Sequence, residues 1–247
     1  MKTIGIIGGL SWFSTSVYYR IINQLVNERL SGSHSAKLFL YSVDFNEFKT
    51  LQEKNDWNEI GRMLSDIAQR LETAGADCIV MATNTPHLAA DTVRQKIKIP
   101  LLHIAEETAK EIARQKIGTV GLLGTKFTME NSFFKNPLAK SGIETIVPDA
   151  ADRDFIHASI FNELTKGMFK EETKNKYLDI INRQQQSGAQ GIIFGCTEIG
   201  LLLKQEDCAL PVFDTASIHA KSAVDFALAG ARVVPPPRSC LCHAARR

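Results

Sequence analysis

The chain has 247 residues and a net charge of +2, with 44% apolar and 23% charged residues, as is ordinary for a globular protein. It has no basic stripe interleaved with aromatic residues and no apolar run of the roughly 18 residues that cross a membrane, so we expect neither a nucleic-acid nor a membrane partner. The start of the chain, "MKTIGIIGG", has no signal-peptide pattern, and we therefore expect a cytoplasmic protein.

The cysteines and the end of the chain give no framework for the fold. Five cysteines are too few and too scattered to form a disulfide scaffold. The run "CLCH", from Cys240 to His243, lacks a second pair of metal ligands, so we expect no metal site. Residues 230–247 have three consecutive prolines and no helical period, which we interpret as a disordered tail or a cloning or frameshift artefact.

Strands and helices alternate along the first half of the chain. The run "TIGIIGG" predicts a buried strand and a tight turn, residues 16–30 have helical spacing, and "KLFLYSVDF" predicts a second strand. Residues 57–75 predict an amphipathic helix that ends at Gly75, and "DCIVMATNT" predicts a buried strand. A helix is predicted over residues 87–97, and a short strand followed by a helix over residues 99–115.

The same order then begins again. The run "TVGLLGTKFTM" resembles "TIGIIGGLSWF", "GIETIVPD" predicts a strand, and residues 152–166 and 171–186 predict helices. The run "QGIIFGCTEIG" then repeats "DCIVMATNTPH". The pattern predicts an α/β fold of two pseudosymmetric lobes, each a mainly parallel sheet flanked by helices. We expect residues 1–115 with 211–229 to form the first lobe, and residues 116–210 the second.

Matching intervals between equivalent positions indicate that the two halves of the chain arose by duplication. A general likeness among α/β proteins would not require such intervals. Gly5 and Thr83 are 78 residues apart, and Gly121 and Cys196 are 75 residues apart. Because ligands bind beyond the carboxyl ends of parallel strands, two such lobes would hold an active site in the cleft between them.

Cys196 is the most informative candidate, since it follows an apolar strand and precedes Thr197 and Glu198. A thiol near the amides of a helix N-terminus has a lowered pKa and can act as a nucleophile or proton acceptor. The glycines of "GIIGGLS" lack dinucleotide spacing, and they predict a turn whose N–H groups approach a carboxylate. Gly9 and Ser11 are therefore candidate binding residues.

The runs "IGIIGGLSW", "ATNTPH", "LLGTKFTM" and "IIFGCTEIG" resemble, in this order, the aspartate/glutamate racemase family over roughly residues 1–229. The resemblance implies a homodimer that needs no pyridoxal phosphate or other cofactor. It also implies two cysteines on opposite faces of the substrate Cα, one of which removes a proton while the other returns one.

The resemblance also implies a set of substrate contacts. Hydrogen bonds from backbone N–H groups and polar side chains would stabilise the carbanion, and a cation such as Lys166, or a group one residue earlier at Thr165, would meet a distal carboxylate. The candidate binding residues are Gly9, Ser11, Asn84, Thr85, Thr125, Thr128, Lys166, Thr197 and Glu198.

The chain departs from the family pattern at Thr83, where the first cysteine would stand. A threonine hydroxyl is a far weaker acid than a thiol, so three interpretations remain open. The first is an asymmetric racemase of L-aspartate or L-glutamate, with Cys196 as the strong base and Thr83 opposite. The second is a degenerate amino-acid or dicarboxylate binder, and the third is a related one-cysteine decarboxylase or isomerase. The sequence favours the first.

Overall fold

The computed structural model describes residues 1–230. Two predictions concern the end of the chain: a disordered or artefactual tail over residues 230–247, and no metal site at Cys240–His243. Apart from Gly230, both lie outside the described residues. No helix within residues 1–230 combines the length and apolar character needed to cross a membrane.

The strands form two four-stranded parallel sheets, which confirms the predicted α/β fold with two lobes. The first sheet has the order β2-β1-β3-β4 and the second the equivalent order β6-β5-β7-β8. The strands are β1 (Ile4–Gly8), β2 (Leu38–Ser42), β3 (Cys78–Met81), β4 (Leu101–Leu102), β5 (Thr119–Leu123), β6 (Glu144–Ile146), β7 (Gly191–Phe194) and β8 (Val212–Asp214).

Helices cover both sheets, and the central strands β1, β3 and β7 are therefore apolar and buried along their length, while β5 is buried after its first residue, Thr119. The helices are α1 (Trp12–Leu30), α2 (Phe45–Glu53), α3 (Trp57–Thr73), α4 (Ala90–Arg94), α5 (Ile104–Arg114), α6 (Lys126–Glu130), α7 (Ser132–Lys140), α8 (Ala150–Asn162), α9 (Glu171–Gln186), α10 (Ile199–Leu202) and α11 (Thr215–Leu228). Short 3-10 segments lie at Thr85–Ala89, Leu164–Lys166 and Gln205–Asp207.

Local signals set the ends of the helices. Asp56 accepts a hydrogen bond from the N–H of Glu59 at 3.0 Å, which caps the start of α3. Gly75, with a φ of 100°, takes the left-handed conformation that ends the same helix, as the sequence predicted. Asp44 caps α2 in the same way through the N–H of Asn46, although the alternation of strands and helices did not predict that helix.

The boundary between the lobes differs from the expected one, because two helices cross over. Strand β8 pairs with β7 in the second sheet, so residues 212–214 do not belong to the first lobe. Helix α11 then returns and packs its alanines against α1 and the first sheet. Helix α5, which the sequence placed in the first lobe, packs into the core of the second. Each lobe therefore ends in a strand of its own sheet and a helix that covers the other lobe.

Candidate active site

A cavity lies between the lobes, where the carboxyl ends of the parallel strands meet. Turn residues after β1, β3, β5 and β7 contribute its polar lining, as expected for ligand sites in open parallel sheets. Eight of the predicted site residues line it: Ser11, Thr83, Asn84, Thr85, Thr125, Thr128, Cys196 and Glu198.

Thr83 and Cys196 occupy equivalent positions in the two lobes. The last residue of β3 that pairs with β1 is Met81, and the last residue of β7 that pairs with β5 is Phe194. Thr83 and Cys196 each follow that last pair by two residues, and both line the cavity. The pairing register thus agrees with the alignment of the two runs in the sequence.

The pKa of the Cys196 thiol is shifted in the opposite direction to the lowering expected from the sequence. Burial raises the pKa of the Cys196 thiol well above its ordinary value, and the carboxylate of Glu198 acts in the same direction. The backbone amides of Thr197 and Glu198 lower this pKa, as the sequence suggested, but their effect is smaller. The prediction was wrong in direction because the thiol is buried, and the carboxylate beside the sulfur adds to the effect of burial. The thiol form of Cys196 is therefore favoured over the thiolate.

Glu198 is buried and forms a junction between the lobes. One carboxylate oxygen accepts a hydrogen bond from the Cys196 thiol at 2.9 Å, and the other accepts from the hydroxyls of Ser11 and Ser14, each at 3.3 Å. Its side chain makes no capping bond at the start of α10. The carboxylate is instead directed to the thiol and the cavity.

Asn84 links the two lobes on the other side of the cavity. Its side-chain amide donates to the hydroxyl of Thr215 at 3.2 Å, and that hydroxyl donates to the carbonyl oxygen of Phe194 at 2.8 Å. The side-chain oxygen of Asn84 is buried and has no hydrogen-bond partner among residues 1–230. It is an acceptor available to a polar ligand, such as the ammonium group of an amino acid.

His87 supports the turn that carries Thr83. It is buried, and its Nδ1 donates to the carbonyl oxygens of Thr83 and Asn84 at 3.0 and 3.1 Å. The rings of His103 and His219 lie next to it, with centroids at 4.7 and 5.5 Å. Within the described residues, no group of three or more His, Cys, Asp or Glu side chains is arranged to hold a metal ion.

Three predicted binding residues lie outside the cavity lining. The N–H of Gly9 donates to the hydroxyl of Thr15 at 2.9 Å, so it is not available to a ligand carboxylate. Thr197 is buried beside Cys196, which it approaches with its backbone amide. Lys166 is exposed at the end of a 3-10 segment, whereas the preceding residue, Thr165, lines the cavity.

Sequence reasoning missed the apolar part of the lining. Phe45, Phe48 and Gln52 line the cavity from α2, and other large side chains come from α6 and α8: Phe127, Ile160 and Phe161. The run "DFNEFKTLQE" held a usable signal, since an aspartate cap precedes apolar residues three positions apart.

Comparison with known proteins agrees with this fold and shows the family of the chain. Residues 7–223 match the model of the family described as Asp/Glu/Hydantoin racemase. The chain belongs to this family. Among solved structures, a Yersinia pestis protein assigned as an Asp/Glu racemase is 49% identical with a TM-score of 0.89, over 92% of this chain and 100% of that one. An aspartate racemase homologue from Pyrococcus horikoshii OT3 is 36% identical with a TM-score of 0.83, over 92% and 99%.

A curated relative shares nearly the whole length. The broad specificity amino-acid racemase RacX of Bacillus subtilis (strain 168) is 26% identical over 242 residues, which cover 92% of this chain and 98% of RacX. Together with the family match, these relatives identify the chain as an amino-acid racemase.

Proposed function

We propose that the protein racemises amino acids at Cα without a cofactor and with two unequal proton-transfer groups. Cys196 exchanges the proton on the L face, and the Thr83 hydroxyl, directly or through a water molecule, serves the opposite face. The observation that carries the proposal is the equivalent placement of Thr83 and Cys196 after β3 and β7, on one cavity. Inversion needs an acid and a base on opposite sides of a planar carbanion.

Glu198 supplies the step that the raised pKa of Cys196 requires. A thiol cannot remove the Cα proton until its own proton has left, and Glu198, whose carboxylate accepts a hydrogen bond from the thiol at 2.9 Å, is the proposed acceptor for that proton. The ammonium group of a bound amino acid would bring a positive charge to the same place, which favours the thiolate. Substrate binding therefore activates the base.

The turns between the lobes supply the polar groups that the carbanion needs. Without pyridoxal phosphate, the negative charge spreads onto the substrate α-carboxylate, which hydrogen-bond donors must stabilise. Thr85, Thr125 and Thr128 line the cavity and offer hydroxyl groups, and Asn84 offers an acceptor for the ammonium. For the three threonines this is the role expected from the sequence, whereas Asn84 was expected among the donors.

The names of the relatives suggest two substrate classes. The family description and the P. horikoshii homologue support the expected L-aspartate or L-glutamate, whereas RacX carries the name of a broad specificity enzyme. The L enantiomer is the preferred starting form because its face meets the thiol. The resemblance to the family also supports a homodimer.

Deuterium exchange at Cα in heavy water, followed by proton NMR, tests the two-face proposal. We expect L-amino acids to exchange faster than their D enantiomers, because only one face has a thiol. Cys196→Ala should abolish exchange from the L side. Thr83→Cys is the matched variant, and it should raise the rate of exchange from the D side. Equal wild-type rates for the two enantiomers, or full exchange by Cys196→Ala, would contradict the assignment.

A binding protein without turnover is the second candidate, and the raised thiol pKa is the observation that favours it. A thiol that never loses its proton cannot act as a base. Calorimetric binding of an L-amino acid with no Cα exchange over days would support this candidate and reject the racemase.

A further inference from the structure

The cavity has no positively charged side chain among the described residues of its lining. Among the described residues that line the cavity, none is a lysine, arginine or histidine, and the one carboxylate is that of Glu198. An acidic side chain in this cavity would lose water without meeting a counter-charge, and it would be repelled by Glu198.

The basic residues nearest in sequence are directed elsewhere. On α2, Lys49 is exposed and pairs with Glu53 at 3.5 Å. On α6, Lys126 pairs with Asp154 on the outer side of α8. Since both ammonium groups already have carboxylate partners, neither is a free counter-charge for a ligand.

The helix and the 3-10 segment that supply the remaining wall also place no basic side chain in the cavity lining. On α8, Arg153 pairs with Glu130 at 3.0 Å, and Nδ1 of His157 accepts from the backbone N–H of Lys126 at 3.3 Å. Lys166 is exposed, and its neighbour Thr165 is the residue that lines the cavity. At the position where a cation was expected to meet a distal carboxylate, the group that lines the cavity is therefore the hydroxyl of Thr165.

The groups that do line this wall suit an uncharged side chain. Aromatic side chains line the cavity from both lobes: Phe45 and Phe48 on α2 in the first, and Phe127 and Phe161 in the second. Gln52 lies one turn after Phe48, and its side-chain amide makes no hydrogen bond within residues 1–230. An amide can both donate to and accept from a neutral polar group.

We infer that the site selects amino acids with uncharged side chains, and that Gln52 is the residue that determines this specificity. The inference rests on the proposed racemase function and names the substrate class of the same site. Neutral side chains of the size of asparagine, glutamine or methionine would pack against the aromatic residues. Gln52 would form a hydrogen bond with a terminal amide or hydroxyl. Aspartate and glutamate would be poorer substrates than asparagine and glutamine, which have nearly the same shape but no charge.

Isosteric pairs provide the test, because they differ in charge and hardly in shape. Cα exchange is measured for L-Gln against L-Glu and for L-Asn against L-Asp, and binding of the same four compounds is measured by calorimetry. We expect the amide of each pair to have the higher kcat/KM and the tighter binding. Faster exchange and tighter binding of the acids would overturn the inference while leaving the racemase proposal intact.

A charge variant tests the role of Gln52. Gln52→Lys should raise the ratio of kcat/KM for L-Glu to that for L-Gln by about tenfold or more, because it adds the missing counter-charge. Thr50→Lys is the matched control, since it adds the same charge to the exposed face of α2 and should leave the ratio unchanged. An unchanged ratio in Gln52→Lys, or equal shifts in both variants, would reject Gln52 as the determinant.

The two proposals fail in different ways. Tighter binding of the amides without exchange supports the specificity and rejects the racemase. The absence of both binding and exchange for all four compounds and for L-Met rejects both.

Discussion

At the scale of single residues, the chemistry depends on the carboxylate next to the thiol. The sequence places Cys196, Thr197 and Glu198 in one turn, and amides near a thiol lower its pKa. In the fold, the carboxylate of Glu198 accepts a hydrogen bond from the thiol, and both burial and this carboxylate raise the thiol pKa against the effect of the amides. The same carboxylate is held by Ser11 and Ser14 of the other lobe, so the state of the thiol depends on contacts between the lobes.

Removing the charge of Glu198 should lower the pKa of the Cys196 thiol. Glu198→Gln eliminates the repulsion between the carboxylate and a thiolate, while it keeps the size of the side chain. The rate of alkylation by iodoacetamide as a function of pH measures this pKa, with Cys196→Ala to subtract the other cysteines. We expect the alkylation profile to move to lower pH in Glu198→Gln. A shift to higher pH would mean that the carboxylate does not hold the thiol proton.

At the scale of elements, the turn from β1 into α1 is built for backbone packing. Gly9 has a φ of 77°, and a Cβ atom at this position would overlap the backbone of Val43, which follows β2. The N–H of Gly9 is bonded to Thr15 in the first turn of α1. The glycine therefore holds β1, β2 and α1 together below the cavity, which is a structural contribution to the site.

Gly9→Ala should reduce the free energy of unfolding by much more than the usual cost of a left-handed alanine. Gly32→Ala is the matched control, because Gly32 has a φ of 60° but no heavy atom within 4 Å of the added Cβ. The control should cost about 1–2 kcal/mol from backbone strain alone. Urea unfolding of both variants measures the difference, and equal losses would show that the contact with Val43 can relax.

At the scale of the whole molecule, buried histidines join the lobes where the helices cross over. His219 on α11 donates from Nε2 to the carbonyl oxygen of Leu102 and accepts from the hydroxyl of Tyr18, both at 2.9 Å. Nδ1 of His103 accepts from the N–H of Ala105 and caps α5. His87 lies between the two rings. This cluster connects the cavity turn to both crossing helices.

The fold should lose stability as the pH falls from about 6.5 towards 4. Burial lowers the pKa values of His103 and His219 to about 4, and it lowers that of His87 well below its ordinary value. The unfolded chain takes up protons first, near pH 6.5, so the stabilisation is complete above that pH and declines through this window. Each neutral histidine contributes a slope of about 1.4 kcal/mol per pH unit.

Urea unfolding between pH 7.5 and 5 measures this slope. His103→Asn keeps a side chain that can cap α5, and it should make the slope shallower by about 1.4 kcal/mol per pH unit. His34→Gln is the control, because His34 is exposed and lies away from the cluster. A wild-type stability that is flat across this range would contradict the neutral state of the three histidines.

Much of the fold and part of the site follow from the sequence alone. Apolar runs that end in glycines, helical spacing and the repeated order predict two parallel α/β lobes, because each of these signals is local. The runs that end in Thr83 and Cys196 also predict two equivalent turns, since the carboxyl ends of strands meet at one edge. The family resemblance rests on these same runs.

Only the tertiary structure decided where helices α5 and α11 pack and what surrounds the thiol. An amphipathic helix has an apolar face that can cover either lobe, and its periodicity does not say which. Glu198 is only two residues from Cys196, but the serines of α1 that bind its carboxylate and the aromatic residues of α2 come to the cavity from distant parts of the chain. Thiol protonation and side-chain selectivity depend on these long-range contacts because both are set by burial and charge, which local sequence does not specify.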